Sequence, residues 1–142
     1  MMIKIQKENF NLEEEIQALK HTLNEIGAVS TFIGCVRNNN NDKKVTSIYL
    51  DVYPAMAQKS LEEIVNKAKK KWDLLEVLII HRYGELKIGE KIVLVATFSQ
   101  HRHDSIHACT FIMDFLKKKA PFWKKENYDN GYSWLENTNL MI

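Results

Sequence analysis

The stretch from Ser99 to Glu126 constrains the fold most, because an apolar-periodic segment runs there between two basic elements and stops at Pro121. Proline lacks the amide hydrogen that an inner helical turn needs, and its ring clashes with the turn before it. The spacing of Ile106, Cys109, Ile112, Met113 and Leu116 predicts a helix from about Asp104 to Lys119. Its apolar stripe enters a core, with Cys109 and Met113 as packing residues. Ser99-Gln100-His101-Arg102-His103-Asp104 opens this segment, and Lys117-Lys118-Lys119 closes it ahead of Pro121-Phe122-Trp123-Lys124-Lys125-Glu126. Imidazole, guanidinium and ammonium groups gathered in this way suit an anionic ligand.

Lysine readily loses its proton when desolvated beside other cations, so a crowded lysine pair supplies one neutral amine and one charge. The plainer reading is a lysine run that complements the negative end of the helix macrodipole and stays in water. Phe122 and Trp123 weigh against a purely solvated role, since a wet face has little use for two aromatics. The tract Lys67-Ala68-Lys69-Lys70-Lys71 carries no such interruption and reads as the solvated last turn of another helix.

Upstream, Ile3 and Ile5 alternate with polar residues as in a short strand. Asn11 with Glu14 forms a capping box for a helix bearing Leu12, Ile16, Leu19 and Leu23 and ended by Gly27. The β-branched run from Ala28 to Val36 reads as a buried strand leading to Arg37, and the polar tract from Asn38 to Lys44 as a loop. A strand from Val45 to Tyr53 precedes Pro54, placed at the first turn of a helix carrying Leu61, Ile64, Val65, Ala68 and Trp72. Strands follow over Glu76 to Tyr83 and Lys91 to Ser99, with Gly84 and Gly89 in the turns between them, and Tyr132 to Leu135 forms a last short strand. The pattern is an α+β domain without repeats, one unit over residues 1–142.

Twenty Lys and Arg against 18 Asp and Glu leave a net charge of +2, so the basicity is local and does not indicate coating of nucleic acid. Two cysteines without CxxC spacing argue against a disulfide framework or a zinc cluster and fit a reducing cytoplasm. The N-terminus has no apolar signal region, and no stretch approaches the ~18 continuous apolar residues of a membrane span. Arg37 and the His101-Arg102 pair both follow strands, where binding residues collect, and are expected to share a cleft. His101, His103, His107 and His81 invite a metal reading, but no metallohydrolase motif accompanies them. Cys35 beside Arg37 reads as an incidental small buried residue, and His81-Arg82-Tyr83-Gly84 as either a structural turn or a contributor to the cleft.

Four segments, GAVSTFIGCVRNNN from Gly27, YLDVYPAMAQKSLEEI from Tyr49, VLIIHRYGELKIGEKIVLVATFSQHR from Val77 and FIMDFLKKKAPFWKKE from Phe111, resemble the catalytic, large subunit of molybdopterin synthase. Their order covers Gly27 to Trp134, and HRxGEL, SxHR and KxxxPxWKxE are far more specific together than singly. The resemblance implies an α/β hammerhead with an additional small antiparallel sheet. It implies a homodimer within a heterotetramer that accepts the Gly-Gly tail of a small ubiquitin-like sulfur carrier. The implied reaction moves sulfur from the carrier's thiocarboxylate onto cyclic pyranopterin monophosphate, giving the dithiolene of molybdopterin without metal or other cofactor.

By the same resemblance Lys117 and Lys124 are the functional lysines, Lys117 nearest the thiocarboxylate carbon and Lys124 orienting the pterin and phosphate or moving a proton. Arg37, His101 and Arg102 hold the phosphate, and Lys125 and Glu126 line the same pocket. The family's tail brings a basic residue into the neighbouring subunit's site, yet no Lys or Arg follows Lys125 here. The competing reading is a noncatalytic nucleic-acid or anion-binding module that stacks bases on Phe122 and Trp123.

Overall fold

A computed structural model describes residues 1–21, 23–40, 42–119 and 121–135. In chain order these form β1 (Met2–Gln6), α1 (Leu12–Lys20), β2 (Ala28–Cys35), β3 (Asn39–Asn40), β4 (Lys43–Lys44), β5 (Ser47–Val52) and α2 (Pro54–Lys71). They continue as β6 (Glu76–Arg82), β7 (Gly84–Lys87), β8 (Lys91–Ser99), α3 (Arg102–Lys118), β9 (Phe122–Tyr128) and β10 (Gly131–Leu135). Two four-stranded sheets result, one ordered β1-β6-β8-β2 with β1 parallel to β6, the other ordered β10-β9-β5-β7 and antiparallel throughout. This is the α+β hammerhead with an added antiparallel sheet that the sequence led us to expect.

The first sheet is covered on both faces. Leu12, Ile16 and Leu19 of α1 pack with Phe10, Leu78, Ile80, Leu94 and Phe98. On the other side α2 and α3 supply Leu61, Val65, Ile112 and Leu116 to a core with Val77, Ile79, Val93 and Val95. Each fully buried Leu, Ile or Val is worth roughly 1.5–3 kcal/mol, which fixes the register of strands whose residues alternate between the two clusters. Asn11 caps α1 as anticipated, its Oδ1 accepting from the Glu14 amide at 3.0 Å.

Several expectations change. Helix α1 stops at Lys20, not Gly27: Leu12, Ile16 and Leu19 pack on the sheet from the helix, and Ile26 packs on the same cluster from the non-helical segment that follows. Gly27 instead lies where a Cβ would stand 2.1 Å from the Gln100 carbonyl oxygen, so its role is close approach. Strand β2 is at the sheet edge and mostly half-buried rather than buried. The polar tract contains the β3–β4 ribbon, turned at Asp42 with φ 64°, a conformation Asp tolerates. Strand β9 had been missed, and β7 occupies the connection read as turns. Ile106 leaves the α3 stripe and is 50% exposed, the buried face being Ser105, Ala108, Cys109, Ile112 and Leu116.

The chain passes from the first sheet to the second at His81-Arg82-Tyr83-Gly84, where Gly84 takes φ 87°. Arg82 Nε donates to the Lys7 carbonyl at 3.0 Å and Nη1 to the Lys91 carbonyl at 2.9 Å, tying three strand ends together. His81 is fully buried and stacks on Phe122 of β9, ring centroids 3.7 Å apart and planes 15° off parallel. Its Nδ1 faces the Arg82 carbonyl at 2.9 Å while Nε2 is buried without a partner, so the ring is held neutral with the proton on Nδ1. These residues are structural.

Burial pushes the His81 pKa down from its usual 6.5 to about 4. A group that protonates more readily when unfolded makes stability rise with pH between the two values, so stability is lost as pH falls below the unfolded pKa. Urea unfolding at about pH 7.5 and about pH 5 should differ by about 2 kcal/mol from this histidine. His81→Phe, which keeps the stack, should remove that part of the slope; an unchanged slope in the variant would assign the acid sensitivity elsewhere.

Candidate active site

Strand β9 builds the site. It pairs antiparallel with β5, Leu50 opposite Lys124 and Ile48 opposite Glu126, so residues far apart in sequence share one surface. Alternation sends Phe122, Lys124 and Glu126 inward and Trp123 and Lys125 to the opposite face. Lys124 and Glu126 line a small pocket with Cys35, Arg37, Asn40 and Ile92, where the end of β2 meets the start of β8.

Glu126 is 2% exposed and holds the polar groups of the pocket in place. Its Oε2 accepts from Asn40 Nδ2 at 2.9 Å and lies 3.5 Å from Lys124 Nζ, while Oε1 accepts from the Tyr128 hydroxyl at 2.9 Å. Two neutral donors and one ammonium therefore satisfy a carboxylate that burial alone would penalise. Lys124 is 7% exposed, and its pKa is lowered: burial is the main cause, Glu126 opposes it, and the nearby Arg37 charge adds to it. A buried amine with a weakened hold on its proton thus sits beside a permanent cation, an arrangement suited to binding an anion and moving a proton.

The other expected residues divide into two groups. Lys117 is exposed on the last turn of α3. Helix α3 follows the end of β8 and packs back across β8 and β2, so Lys117 lies toward the Arg37 end of the sheet. His101 is the N-cap of α3 and Arg102 its first residue, both exposed at the far end. From Arg102 to Lys117 the helix rises about 22 Å. Strand β8, nine residues long, separates the Arg37 end from the His101 end by about 30 Å. One chain therefore brings Arg37, Lys124 and Glu126 together and holds His101 and Arg102 apart from them.

Lys125 does not join Glu126 in the pocket, because strand alternation turns it across the sheet. Its Nζ lies 5.4, 5.1 and 5.8 Å from the ring centroids of Tyr49, Tyr132 and Trp134. Asn40 and Tyr128 were not singled out from the sequence, since a polar loop residue and a tyrosine carry no local mark of a carboxylate partner. Cys35 is exposed at the pocket edge and not buried. Cys109 is buried, and burial pushes its thiol up to about 11.

Phe122, expected to be available for base stacking, is fully buried against His81. His103 stacks on His107 at 4.2 Å, and among the described residues no three His, Cys, Asp or Glu side chains gather as a metal site. Residues 136–142, where a tail contribution would fall, lie outside the described residues. No helix of the described chain is long and apolar enough to cross a membrane.

The family pattern described as "MoaE protein" matches residues 5–119. The molybdopterin synthase catalytic subunit of Haemophilus influenzae is 48% identical over 136 residues, covering 96% of this chain and 90% of that protein. Among solved structures, the molybdopterin biosynthesis MoaE protein of Burkholderia ambifaria superimposes with a TM-score of 0.85 at 40% identity, over 98% of this chain and 91% of that one. At 22% identity and a TM-score of 0.78, a Helicobacter pylori complex of subunits 1 and 2 of molybdopterin-converting factor shares the fold, over 94% of this chain and 90% of that one. With the pattern covering most of its length and near-half identity to such relatives, the chain belongs to the MoaE family of molybdopterin synthase catalytic subunits.

Proposed function

We propose that this chain catalyses sulfur transfer from the C-terminal thiocarboxylate of a small ubiquitin-like partner subunit to cyclic pyranopterin monophosphate, forming molybdopterin, through the site around Lys124. The observation that carries the assignment is the desolvated Lys124 amine held between Arg37 and a fully satisfied Glu126. In this reading Arg37 grips the substrate phosphate, its planar guanidinium offering paired donors. Lys124 orients the pterin and exchanges a proton at the reacting centre. Lys117 reaches over the pocket from the end of α3: once the partner's sulfur has bonded to the substrate as a thioester, it stabilises the oxyanion formed when water adds to the acyl carbon, and collapse breaks the C–S bond to leave sulfur on the pterin and a carboxylate on the partner's tail. The sulfur arrives on the partner, so Cys35 is not a nucleophile.

His101 and Arg102 enter this reading from a second copy. A homodimer that sets the His101 end of one chain against the Arg37 end of another reunites the phosphate ligands that a single chain separates. Support comes from edge strand β2 and from a hollow of about 530 Å3 lined by Phe32, Ile106, Cys109 and Met113, where an apolar side chain as exposed as Ile106 awaits cover. Two partner subunits, one for each chain of this homodimer, complete the proposed heterotetramer.

Three substitutions test the chemistry in an assay supplied with thiocarboxylated partner and cyclic pyranopterin monophosphate. Lys117→Ala should slow turnover about 100-fold or more while partner affinity changes little. A rate near that of the parent would remove Lys117 from the reaction. Lys124→Arg retains charge but its guanidinium stays protonated and cannot act as a neutral base, so it should be as inactive as Lys124→Ala; recovery of the rate would reduce Lys124 to a point charge.

The composition of the site has its own test. Arg37→Ala and Arg102→Ala homodimers should both be nearly inactive. Mixed dimers carrying one copy of each, isolated through two different tags, should regain one intact site of the two. Mixed dimers as inactive as their parents would mean that Arg37 and Arg102 do not meet across copies.

A further inference from the structure

Helices α2 and α3 run antiparallel beside the first sheet: the Asp73 amide donates to Asp104 Oδ2 at one end, and farther along Ile64 and Phe115 line the same hollow. Between them lies a hollow of about 580 Å3, within the range of small-molecule sites. Its floor is apolar, made of Ile64, Phe111 and Phe115. Its rim carries Lys67, Lys70 and Lys71 from α2, Lys118 from α3 and the following Lys119, against the single carboxylate of Asp114. None of the five lysines is in an ion pair among the described residues, although Lys71 Nζ stands 4.6 Å from the Phe111 ring centroid.

The lysines of a helix's last turn complement its dipole, but that effect needs neither Lys67 nor a floor containing two phenylalanines. Five ammonium groups around one hollow repel one another, in a chain whose whole charge is only +2. An anion seated among them relieves that repulsion, and an apolar body beneath it covers the floor. Phe111 and Phe115 are half-buried and line the hollow, which suits a discrete soluble ligand rather than insertion into a bilayer. We propose that the α2–α3 groove is a second binding site, separate from the Lys124 pocket, for an organic anion with an apolar body, of the alkyl phosphate or long-chain carboxylate class.

Dodecyl phosphate, kept below its micelle concentration, is the probe. Titrated into the full-length protein and followed by amide NMR, it should bind with one saturable site and shift residues around Ile64, Lys67, Phe111 and Phe115. The triple variant Lys67→Glu, Lys70→Glu, Lys118→Glu should melt at the parent temperature and bind at least about tenfold more weakly. Lys124→Ala should bind like the parent, which keeps this site distinct from the one proposed for catalysis. Inorganic phosphate should compete poorly. Equal competition by inorganic phosphate, parent-like affinity in the triple variant, or shifts confined to the Lys124 pocket would each overturn the proposal. So would co-sedimentation with phosphatidylglycerol vesicles in the absence of any response to monomeric dodecyl phosphate.

Discussion

Pairing of β9 with β5 is the constraint on which this architecture depends. It carries the segment after α3 back across the molecule and lays Phe122 to Asn127 against Ser47 to Val52 in strict register. Every second residue of β9 then faces inward, which buries Phe122 on His81 and sets Lys124 and Glu126 beside the end of β2. A slip of one residue would exchange Lys124 for Lys125 and Glu126 for Asn127. The His81–Phe122 stack opposes such a slip, because a bulky ring is locked between the sheets where neither Trp123 nor Pro121 presents the same shape. Stability and site geometry are therefore set by one contact.

That geometry has an energetic consequence. A buried lysine–glutamate pair gains little net stability, since desolvation of both charges consumes the attraction between them. Its value lies in what it does to Lys124. With Asn40 and Tyr128 saturating the carboxylate, Glu126 holds the ammonium in place but shares its negative charge among three donors. Burial, with the Arg37 charge adding to it, then tips the balance against the proton. The amine is positioned and destabilised at once, as a group that must exchange a proton requires.

Much of this was legible in the sequence, and the failures have identifiable causes. Helices α2 and α3 and strands β6 and β8 were readable because their periodicity is long and bounded by Pro54, Pro121 and Gly84. Strand β9 was not, because the alternation of Phe122, Lys124, Glu126 and Tyr128 is an inward face only if two charges are buried as a pair, and composition alone assigns charges to water. Lys125 followed the same blind spot: adjacency in sequence suggested one pocket, whereas adjacent strand residues point apart. Arg37 and Lys124 converge through the pairing of β2 with β8 in one sheet and of β9 with β5 in the other, which no local pattern encodes. The separation of His101 and Arg102 from them is a matter of element length, visible only once the direction of β8 and α3 is known.

The lysines of this chain show how environment divides one side chain into different instruments. Lys124 loses its water and part of its hold on a proton, so it gains chemistry at the expense of charge. Lys125, one residue on, sets its ammonium against the faces of Tyr49, Tyr132 and Trp134 on the outer side of the same sheet. The lysines of the α2–α3 groove are exposed to water and surround an apolar floor that offers them no counterion. Burial, a π face and a shared rim are properties of the fold, not of the residue. A basic run read from sequence therefore names a set of possibilities, and the sheet that alternates it decides which member does which.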